Sequence, residues 1–348
     1  MFSTYDPEDV TLLLKDISGL VEPLPTSVRE RRIQSGVHYC EMLPLEYRPS
    51  ATYLQTYEKA LSLYAGITAR AVASVAQQIY DEKGSRAVLV SLARAGTSIG
   101  VLIKRWLKFR YGVNVAHYSV SIIRGRGIDR NAMAYLLARH EPADLQFVDG
   151  WTGKGAIQRQ LDEAMEDYPG VSSGLAVLSD PAGVARLRGT CDDFLIPSAC
   201  LNATVSGLIS RTFLRNDIIG PGDFHGAAFY RELMDEDLTY AFIDAVEAAF
   251  PDAAPKPEPC RAGGAFAELE AIRSAFGIGS INLVKPGIGE ATRVLLRRLP
   301  WKVLVRSLHD DEHLGHLYQL AAEKRVALLE YPLKHYRACG LIRELTDA

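Results

Sequence analysis

Three short apolar segments between residues 86 and 150 restrict the fold of this chain more than any other feature. They are RAVLVSL (86–92), VAHYSVSIIR (115–124) and LQFVDG (145–150), and the first is too brief for a helix. Each is followed by a polar or glycine-rich loop and then by a helical pattern. This alternation predicts parallel strands covered by helices. The loops that follow such strands are where these sheets place their ligands.

Helical periodicity surrounds these segments. Residues 53–82 carry apolar residues at helical spacing and predict one or two amphipathic helices. VLIKRWLKFRYG (101–112) predicts a helix that ends at Gly112, and NAMAYLLARH (131–140) predicts another. The expected fold class is therefore α/β, with a parallel sheet flanked by helices.

Composition sets the class of protein. The 348 residues are 48% hydrophobic and 23% charged, with a formal net charge of −3, as in ordinary soluble globular proteins. This charge argues against a protein that coats nucleic acid along its whole length. No segment approaches the ~20 apolar residues of a membrane span, and MFSTYDPEDV lacks a signal region, so we expect a cytoplasmic protein. Five dispersed cysteines favour buried thiols over a disulfide framework or a zinc site.

A stretch rich in proline, alanine and glycine, FPDAAPKPEPCRAGG (250–264), is typical of a linker. It predicts a large domain over residues 1–257, which includes an N-terminal helical extension, and a small domain over residues 265–348.

Three loops that follow predicted strands carry residues suited to anions. SLARAGTSIG (91–100) offers Arg94 beside small residues, IIRGRGIDR (122–130) is a mobile cationic segment, and DGWTGKG (149–155) opens a helix after an acid. One such loop alone is a weak signal, since glycines mark turns and exposed arginines are ordinary. Three in succession at one sheet edge favour polyanion binding.

The two common nucleotide loops do not fit. A nucleoside-triphosphate loop needs GxxxxGK followed by a hydroxyl residue, whereas this chain has GxxGKG with Gly155 at the hydroxyl position. The GxGxxG dinucleotide fingerprint is absent from the first strand-to-helix turn.

An acid at a strand end followed by a Thr/Gly loop, as in VDGWTGKG, resembles the type I phosphoribosyltransferases. In that family this loop holds the 5-phosphate of phosphoribosyl pyrophosphate (PRPP), an earlier loop holds the pyrophosphate, and a flexible basic loop closes over it. SLARAGTSIG and IIRGRGID match those two in place. HYCEMLPLEYRPS, YSVSIIRGRGID, FVDGWTGKGAI and LNATVSGLISRT further resemble the phosphoribosyltransferase-like proteins of bacterial tellurite-resistance (Ter) stress clusters, some of which carry a cysteine protease label.

The resemblance implies a reaction and its residues. A base-like acceptor would displace pyrophosphate from PRPP with Mg²⁺ as cofactor, in the synthesis of a nucleoside-like metabolite. The single Asp149, where the family usually has two adjacent acids, would orient the ribose and is the one candidate side-chain ligand for the metal. The implied catalytic residues are Asp149, Arg94 and Arg126. The implied PRPP-binding residues are Ser91, Ala95, Gly96, Thr97, Arg124, Gly150, Trp151, Thr152, Gly153, Lys154 and Gly155.

The stretch between residues 178 and 212 is dense in small polar residues. It predicts either a loop with a buried small-residue segment or the wall that recognises the acceptor. The candidate acceptor-binding residues are Asp180, Asn202, Thr204 and Ser206.

A cysteine protease is the more distant alternative. It requires a thiolate paired with a base. Cys40 lies two residues from His38, a spacing that on a strand puts both on one face, and Cys200 has no evident histidine partner. Buried structural cysteines are the more frequent explanation of both.

The C-terminal unit resembles the Pelota C-terminal domain and the kink-turn-binding ribosomal proteins. PGIGEATR (286–293) matches their GxNExT-type loop at the start of a helix, with Gly289 in place of the asparagine. The helices and strands that follow predict a small α/β/α domain that ends in a helix. The resemblance implies RNA binding through Lys285, Gly287, Glu290 and Arg293, while a solvated basic helix face or docking to a partner enzyme are the alternatives.

Two classes of function therefore compete: a phosphoribosyltransferase, and a non-catalytic protein that senses PRPP or a nucleotide or binds RNA. The expected partners are PRPP and a base-like acceptor, together with RNA or other enzymes of the same cluster as alternatives for the C-terminal unit. We expect a homodimer without membrane contact.

Overall fold

The computed structural model describes residues 2–256 and 263–343. Its strands are, in chain order, β1 (Thr11–Leu12), β2 (Lys15–Asp16), β3 (Val88–Leu92), β4 (Ala116–Val120), β5 (Ile122–Ile123), β6 (Gly127–Ile128), β7 (Leu145–Trp151), β8 (Leu175–Ser179), β9 (Leu187–Thr190), β10 (Gly226–Ala227), β11 (Val284–Pro286), β12 (Pro300–Val305), β13 (Ala327–Glu330) and β14 (Ala338–Ile342). Its helices are α1 (Thr26–Gln34), α2 (Ala51–Lys83), α3 (Ala95–Tyr111), α4 (Arg130–Leu137), α5 (Ala156–Met165), α6 (Thr239–Glu247), α7 (Ala265–Ala275), α8 (Ile288–Arg297) and α9 (Asp311–Lys324).

Six strands form one parallel sheet in the order β1-β4-β3-β7-β8-β9. Helices α2 and α3 cover one face of this sheet, while α4 and α5 cover the other. Every residue of β3 and β8 is buried, which is why these strands are continuous apolar runs without polar alternation. The three predicted strands are β3, β4 with β5, and β7, so the predicted α/β sheet flanked by helices is confirmed.

The helices on the first face partly match the prediction. Residues 51–83 form one helix, capped by Ser50 Oγ, which accepts from Tyr53 N at 3.2 Å. Helix α3 ends as predicted before Gly112, which adopts the left-handed conformation (φ 68°). The predicted loop over 93–100 is wrong in extent, because α3 already begins at Ala95. The small residues at 95–100 allow this helix to pack closely on the sheet.

The C-terminal residues build a four-stranded sheet in the order β11-β14-β12-β13. Helices α8 and α9 pack on one face of it and α7 on the other, which is the predicted three-layer α/β/α arrangement. The prediction of a final helix is wrong for the described residues, because Ala338–Ile342 forms a fully buried central strand. Its pairing with two neighbours outweighs local helical preference. Part of the predicted linker (257–262) and the last five residues lie outside the described ranges.

The two units share one hydrophobic core. Val72 and Leu102 of the large unit belong to the same buried cluster as Leu295 and Leu317 of the small one. Polar contacts support this packing: the Tyr64 hydroxyl donates to Glu312 O at 2.9 Å. The sheet edge that carries the predicted loops is therefore part of an interface.

Within residues 2–256 and 263–343, none of the helices has the length and apolar character needed to cross a bilayer.

Candidate active site

The carboxyl edge of the parallel sheet brings the first and third predicted loops side by side. β3 and β7 are neighbours, with Ser91 opposite Val148. Helix α3 begins at Ala95 and α5 at Ala156, directly beyond these strands. The first-turn N–H groups of a helix have no intrahelical partner, and the helix dipole is positive there. Two helix ends that attract anions therefore flank the same point of the sheet.

Asp149 lies at that point. A Cβ added at Gly96 would be 2.6 Å from Val148 O and 3.4 Å from Asp149 Oδ1, so only glycine allows α3 to start this close to β7. Asp149 Oδ1 accepts a hydrogen bond from Gly150 N at 2.7 Å. Burial raises the pKa of Asp149 to about 6, while Arg293 of the small unit opposes the rise. A perturbed carboxyl at a ligand-binding sheet edge is typical of functional groups.

The segment Thr152–Gly155 forms the turn between β7 and α5. Gly155 adopts φ 73°, a left-handed conformation that favours glycine, and its N–H donates to Thr152 Oγ1 at 3.2 Å. The small unit covers this turn, because Lys154 Nζ donates to Ile281 O at 2.7 Å and to Val284 O at 3.1 Å. The phosphate contact expected of Lys154 is thus replaced here by two carbonyls. Burial lowers the pKa of Lys154 to about 8.

Gly153 extends the contact between the turn and the small unit. Its carbonyl accepts from the Tyr336 hydroxyl at 2.7 Å. A Cβ on Gly153 would be 2.8 Å from Pro286 O, so the two backbones meet directly. A cavity of about 10 Å³ remains beside this contact, which is room for about one water molecule.

Trp151 is enclosed by helix α8. Its indole ring packs on Gly289, where an added Cβ would be 2.6 Å from Trp151 Cε2. The guanidinium of Arg293 lies over the ring at 4.1 Å from its centroid. The last residue of β7 therefore fixes the position of α8 over Asp149.

Arg94 lies just beyond the end of β3, as the sequence predicted. Its side chain is buried, and Nη1 donates to Glu46 Oε1 at 3.1 Å and to Ile209 O at 2.7 Å. The peptide bond between Ala93 and Arg94 is cis. Two other residues of the first predicted loop, Ala95 and Gly96, form the start of α3, and Gly96 lies against β7 at the sheet edge.

Ser91 and Thr97 do not face that edge. Ser91 Oγ lies 2.7 Å from His117 Nε2, and Thr97 Oγ1 lies 2.7 Å from Ser119 Oγ. Both pairs are buried between α3 and the sheet. Their predicted PRPP contacts are replaced by internal hydrogen bonds, because each side chain points to its neighbouring strand.

The second predicted loop is a hairpin formed by β5 and β6. Arg124 N donates to the Tyr39 hydroxyl at 2.9 Å, and Arg124 Nη1 donates to Asn282 Oδ1 of the small unit at 3.3 Å. Arg126 is exposed and pairs with Glu41 at 3.2 Å. Arg124 thus borders the interface, whereas Arg126 is half-exposed and paired with Glu41, which does not support its predicted catalytic role.

The predicted acceptor residues are buried and bonded within the large unit or to α8. Both oxygens of Asp180 are used by Val184 N, Ala185 N and Arg188 Nε, at 3.1, 2.7 and 3.1 Å. Asp180 therefore has a structural role, which corrects its assignment to the acceptor. Asn202 Oδ1 accepts from Arg297 Nε of α8.

Ser206 and Thr204 complete that set. Ser206 Oγ donates to Asn202 O at 2.7 Å, and Thr204 O accepts from Leu238 N at 2.7 Å. Both side chains are buried. Asn202 is the predicted acceptor residue that lies nearest the arginines of the interface.

The residues predicted to bind RNA lie in the same interface. Asp193 of the large unit occupies the N-terminus of α8, where its carboxylate accepts from Ile288 N at 2.9 Å. A Cβ on Gly287 would be 3.3 Å from Asp193 Oδ1. This helix end therefore meets a carboxylate of the same chain in place of the RNA predicted to bind there. Burial raises the pKa of Asp193 to about 6.

The other three predicted RNA contacts surround the same helix. Glu290 pairs with Arg293 at 3.2 Å on α8, next to the Trp151 ring. Burial lowers the pKa of Lys285 to about 7, and Lys154 adds to that lowering. Half-buried side chains at an interface within the chain are not a free RNA surface.

Three arginines that are not among the predicted site residues lie at the contact between the two units: Arg29, Arg211 and Arg297. Arg211 stacks on the Tyr39 ring at 4.3 Å, and burial lowers its pKa to about 10. Arg29 lies in VRERRIQ and Arg297 in LLRRLP, and such basic runs are typical of solvated helix faces, so no motif or spacing marks the three arginines as one group. Only their approach in the folded chain makes them a group.

The cysteines are mostly buried thiols, as predicted. Cys40, Cys200 and Cys339 are free and buried, whereas Cys191 takes part in a disulfide that their spacing did not predict. Cys40 Sγ lies 3.0 Å from His38 Nδ1, but on a 3₁₀ turn, not on the expected strand. Burial raises the pKa of Cys40 and lowers the pKa of His38, so both groups are held neutral.

Comparison with known proteins identifies the family. Residues 3–247 match the family described as tellurite-like stress resistance cysteine protease StiP. The chain is 35% identical to cysteine protease StiP of Acinetobacter baylyi over 98% of its own length and 94% of that protein. The chain belongs to the StiP family. Residues 264–344 of this StiP-family chain match the PELOTA RNA binding domain.

Solved structures give a weaker likeness. A hypoxanthine-guanine phosphoribosyltransferase from Bacillus anthracis is 14% identical, with a TM-score of 0.26 over 38% of this chain and 76% of that one. A xanthine-guanine-hypoxanthine phosphoribosyltransferase from Helicobacter pylori is 15% identical, with a TM-score of 0.22 over 39% and 75%.

Proposed function

We propose that this StiP-family chain is a phosphoribosyltransferase that uses PRPP to ribosylate a base-like nitrogen acceptor and releases pyrophosphate. The observation that carries the proposal is the position of Asp149 between the N-termini of α3 and α5 at one sheet edge. Two helix ends suit the two phosphate-bearing ends of PRPP, and a carboxylate between them suits the ribose. The product would be a nucleoside-like metabolite of a stress response.

In the proposed reaction the bond from ribose C1 to the pyrophosphate oxygen breaks, and its electron pair leaves with the pyrophosphate. The acceptor nitrogen forms the new bond to C1 and loses its proton. Positive charge develops on the sugar ring, where the Asp149 carboxylate stabilises it and holds the ribose hydroxyls. Arg94 and the first-turn N–H groups of α3 stabilise the negative charge on the leaving group.

Mg²⁺ is the cofactor of this proposal. Mg²⁺ is commonly held by one or two carboxylates together with substrate phosphates and water, so Asp149 and a bound diphosphate form a suitable donor set. When bound, the ion would neutralise charge on the diphosphate.

The C-terminal unit, in this proposal, forms the second wall of the active site. Its α8 lies over Trp151 and places Arg293 beside Asp149. A closed wall excludes water, which would otherwise hydrolyse PRPP. RNA binding through the same face would require the two units to separate. A homodimer and contacts with enzymes of the same cluster remain predictions.

The test is PRPP-dependent release of pyrophosphate in the presence of Mg²⁺ and a cell extract, with mass spectrometry of new ribosylated products. We expect turnover by the native chain and its loss in Asp149→Asn, which keeps the side-chain size. PRPP binding without consumption of any acceptor would instead support the sensing function.

Cysteine protease is the second candidate, because the relative from Acinetobacter baylyi bears that name and Cys40 lies beside His38. A protease needs a thiolate at an accessible site, whereas Cys40 is fully buried and its pKa is raised. Cleavage of casein that is abolished by Cys40→Ala would establish the protease and refute our preference.

A further inference from the structure

Four arginines from four separate segments come together beside the contact between the two units, and we call them the arginine cluster: Arg29 and Arg94, which are buried, and Arg211 and Arg297, which are half-buried. Connecting contacts place them together. Arg94 Nη1 donates to Ile209 O, two residues before Arg211. Arg298, the neighbour of Arg297, pairs with Glu30, the neighbour of Arg29, at 2.7 and 2.9 Å.

Among the residues that the structure describes, Arg94 is the member of the cluster with an ion pair, which it forms with Glu46. The Arg211 guanidinium lies over the Tyr39 ring, and Arg297 Nε donates to Asn202 Oδ1. Arg29 is 3% exposed, and its Nε has no hydrogen-bond partner among the described residues.

This deficit is costly in a folded protein. Arg298 is neutralised by Glu30, so the four guanidinium groups of the cluster face one bonded carboxylate, Glu46, which leaves an excess of three positive charges among the described residues. Buried charges are normally paired or bound to an ion, and a buried donor without a partner costs stability. Burial and the neighbouring arginines lower the pKa of Arg297 and of Arg211. A site that keeps such repulsion in place is arranged for an anionic ligand.

We propose that the arginine cluster binds a diphosphate-class polyanion, and that Arg297 brings the C-terminal unit into contact with that ligand. Several planar guanidinium groups suit the many oxygens of a diphosphate. Arg29, Arg94 and Arg211 belong to the large unit and Arg297 to α8, so the ligand bridges the two units. This inference rests on the proposed function, because pyrophosphate is a product of the proposed reaction. The binding of pyrophosphate can nevertheless be measured without turnover.

The experiment measures binding of inorganic pyrophosphate to the full chain by calorimetry and by its effect on the melting temperature. Arg211→Gln and Arg297→Gln are the test variants, and Arg298→Gln, whose guanidinium is already neutralised by Glu30, is the charge-matched control. We expect each test variant to bind pyrophosphate at least tenfold more weakly, and the control less than threefold. Without ligand, the test variants should melt at or above the native temperature because repulsion falls, while the control should melt below it.

Orthophosphate provides the ligand control, since it has fewer charges and oxygens and should bind at least tenfold more weakly than pyrophosphate. Equal binding of pyrophosphate by native chain and test variants overturns the inference, as does equal affinity for both anions. The experiment also distinguishes failure of the proposed function from failure of this inference. Pyrophosphate binding that depends on the cluster, in a chain that never consumes PRPP, refutes the enzyme and leaves the anion site standing.

Discussion

Replacing Gly289 with alanine tests whether the C-terminal unit is docked on Asp149 as described. Gly289 is the second residue of α8, and an added Cβ would be 2.6 Å from Trp151 Cε2 and 2.7 Å from Cζ2. These distances are below ordinary van der Waals contact, so the indole or the helix must move. The ring cannot move alone, because Arg293 covers it and Trp151 is the last residue of β7.

The magnitude follows from two opposing effects. Alanine in place of a helical glycine gains up to about 1 kcal/mol, since glycine loses more backbone entropy. Overpacking of a well-filled contact costs about 1–3 kcal/mol, and a rigid ring puts Gly289→Ala in the upper part of that range. The expected net loss in the free energy of unfolding is about 1–2 kcal/mol.

Gly315 offers a matched control in the neighbouring helix α9, where nothing lies within 4 Å of an added Cβ. Gly315→Ala should therefore gain about 0.5–1 kcal/mol. Urea unfolding of both variants, followed by tryptophan fluorescence, measures the difference. If Gly289→Ala is stabilised as much as Gly315→Ala, the indole does not pack on α8 in solution and the described docking is refuted.

Three further predictions concern other parts of the site. Asp149 has a pKa raised from 3.8 to about 6, so the folded chain binds more protons than the unfolded chain between these values, and stability falls as pH rises through this window by at most about 3 kcal/mol. The free energy of unfolding, measured by urea titration at several pH values between 4 and 7, should fall less with pH in Asp149→Asn. The same dependence on pH in Asp149→Asn and in the native chain would contradict the raised pKa. Cys40 and Cys200 are fully buried, and burial raises the pKa of Cys200 to about 12, so iodoacetamide at pH 8 should modify both at least about 100-fold more slowly than in the unfolded chain. Rapid labelling in mass spectra would instead indicate an accessible thiolate. Tyr336→Phe removes the hydrogen bond to Gly153 O and should lower the free energy of unfolding by about 1 kcal/mol. Amide hydrogen exchange should become faster in the turn that contains Gly153 than in the rest of the chain.

Local pattern in the sequence was sufficient for the scaffold. The continuous apolar run 86–92 predicted a buried parallel strand, and Gly112 predicted the end of α3, because burial on both faces and a left-handed helix cap each leave a local signature. The start of α3 could not be predicted from the sequence, since glycine and small residues look like a loop until the close approach of Gly96 to β7 is known. The strand at 338–342 could not be predicted either, because its neighbours in the sheet come from distant segments.

The position of Asp149 near a strand end could be predicted from the sequence, because the order of a strand, an acid and a glycine turn is local. The strand itself continues two residues beyond this acid, to Trp151, because Trp151 still pairs with Ser179 of β8. The surroundings of Asp149 could not. The use of Lys154 by carbonyls of the small unit, the carboxylate of Asp193 at the start of α8, and the arginine cluster all depend on contacts between segments far apart in the chain. The sequence thus determined a parallel α/β sheet with an acid near its carboxyl edge. Only the tertiary structure decided that a second unit covers this edge and that arginines from distant segments come together at the contact between the units, because burial and charge balance are properties of packed neighbours.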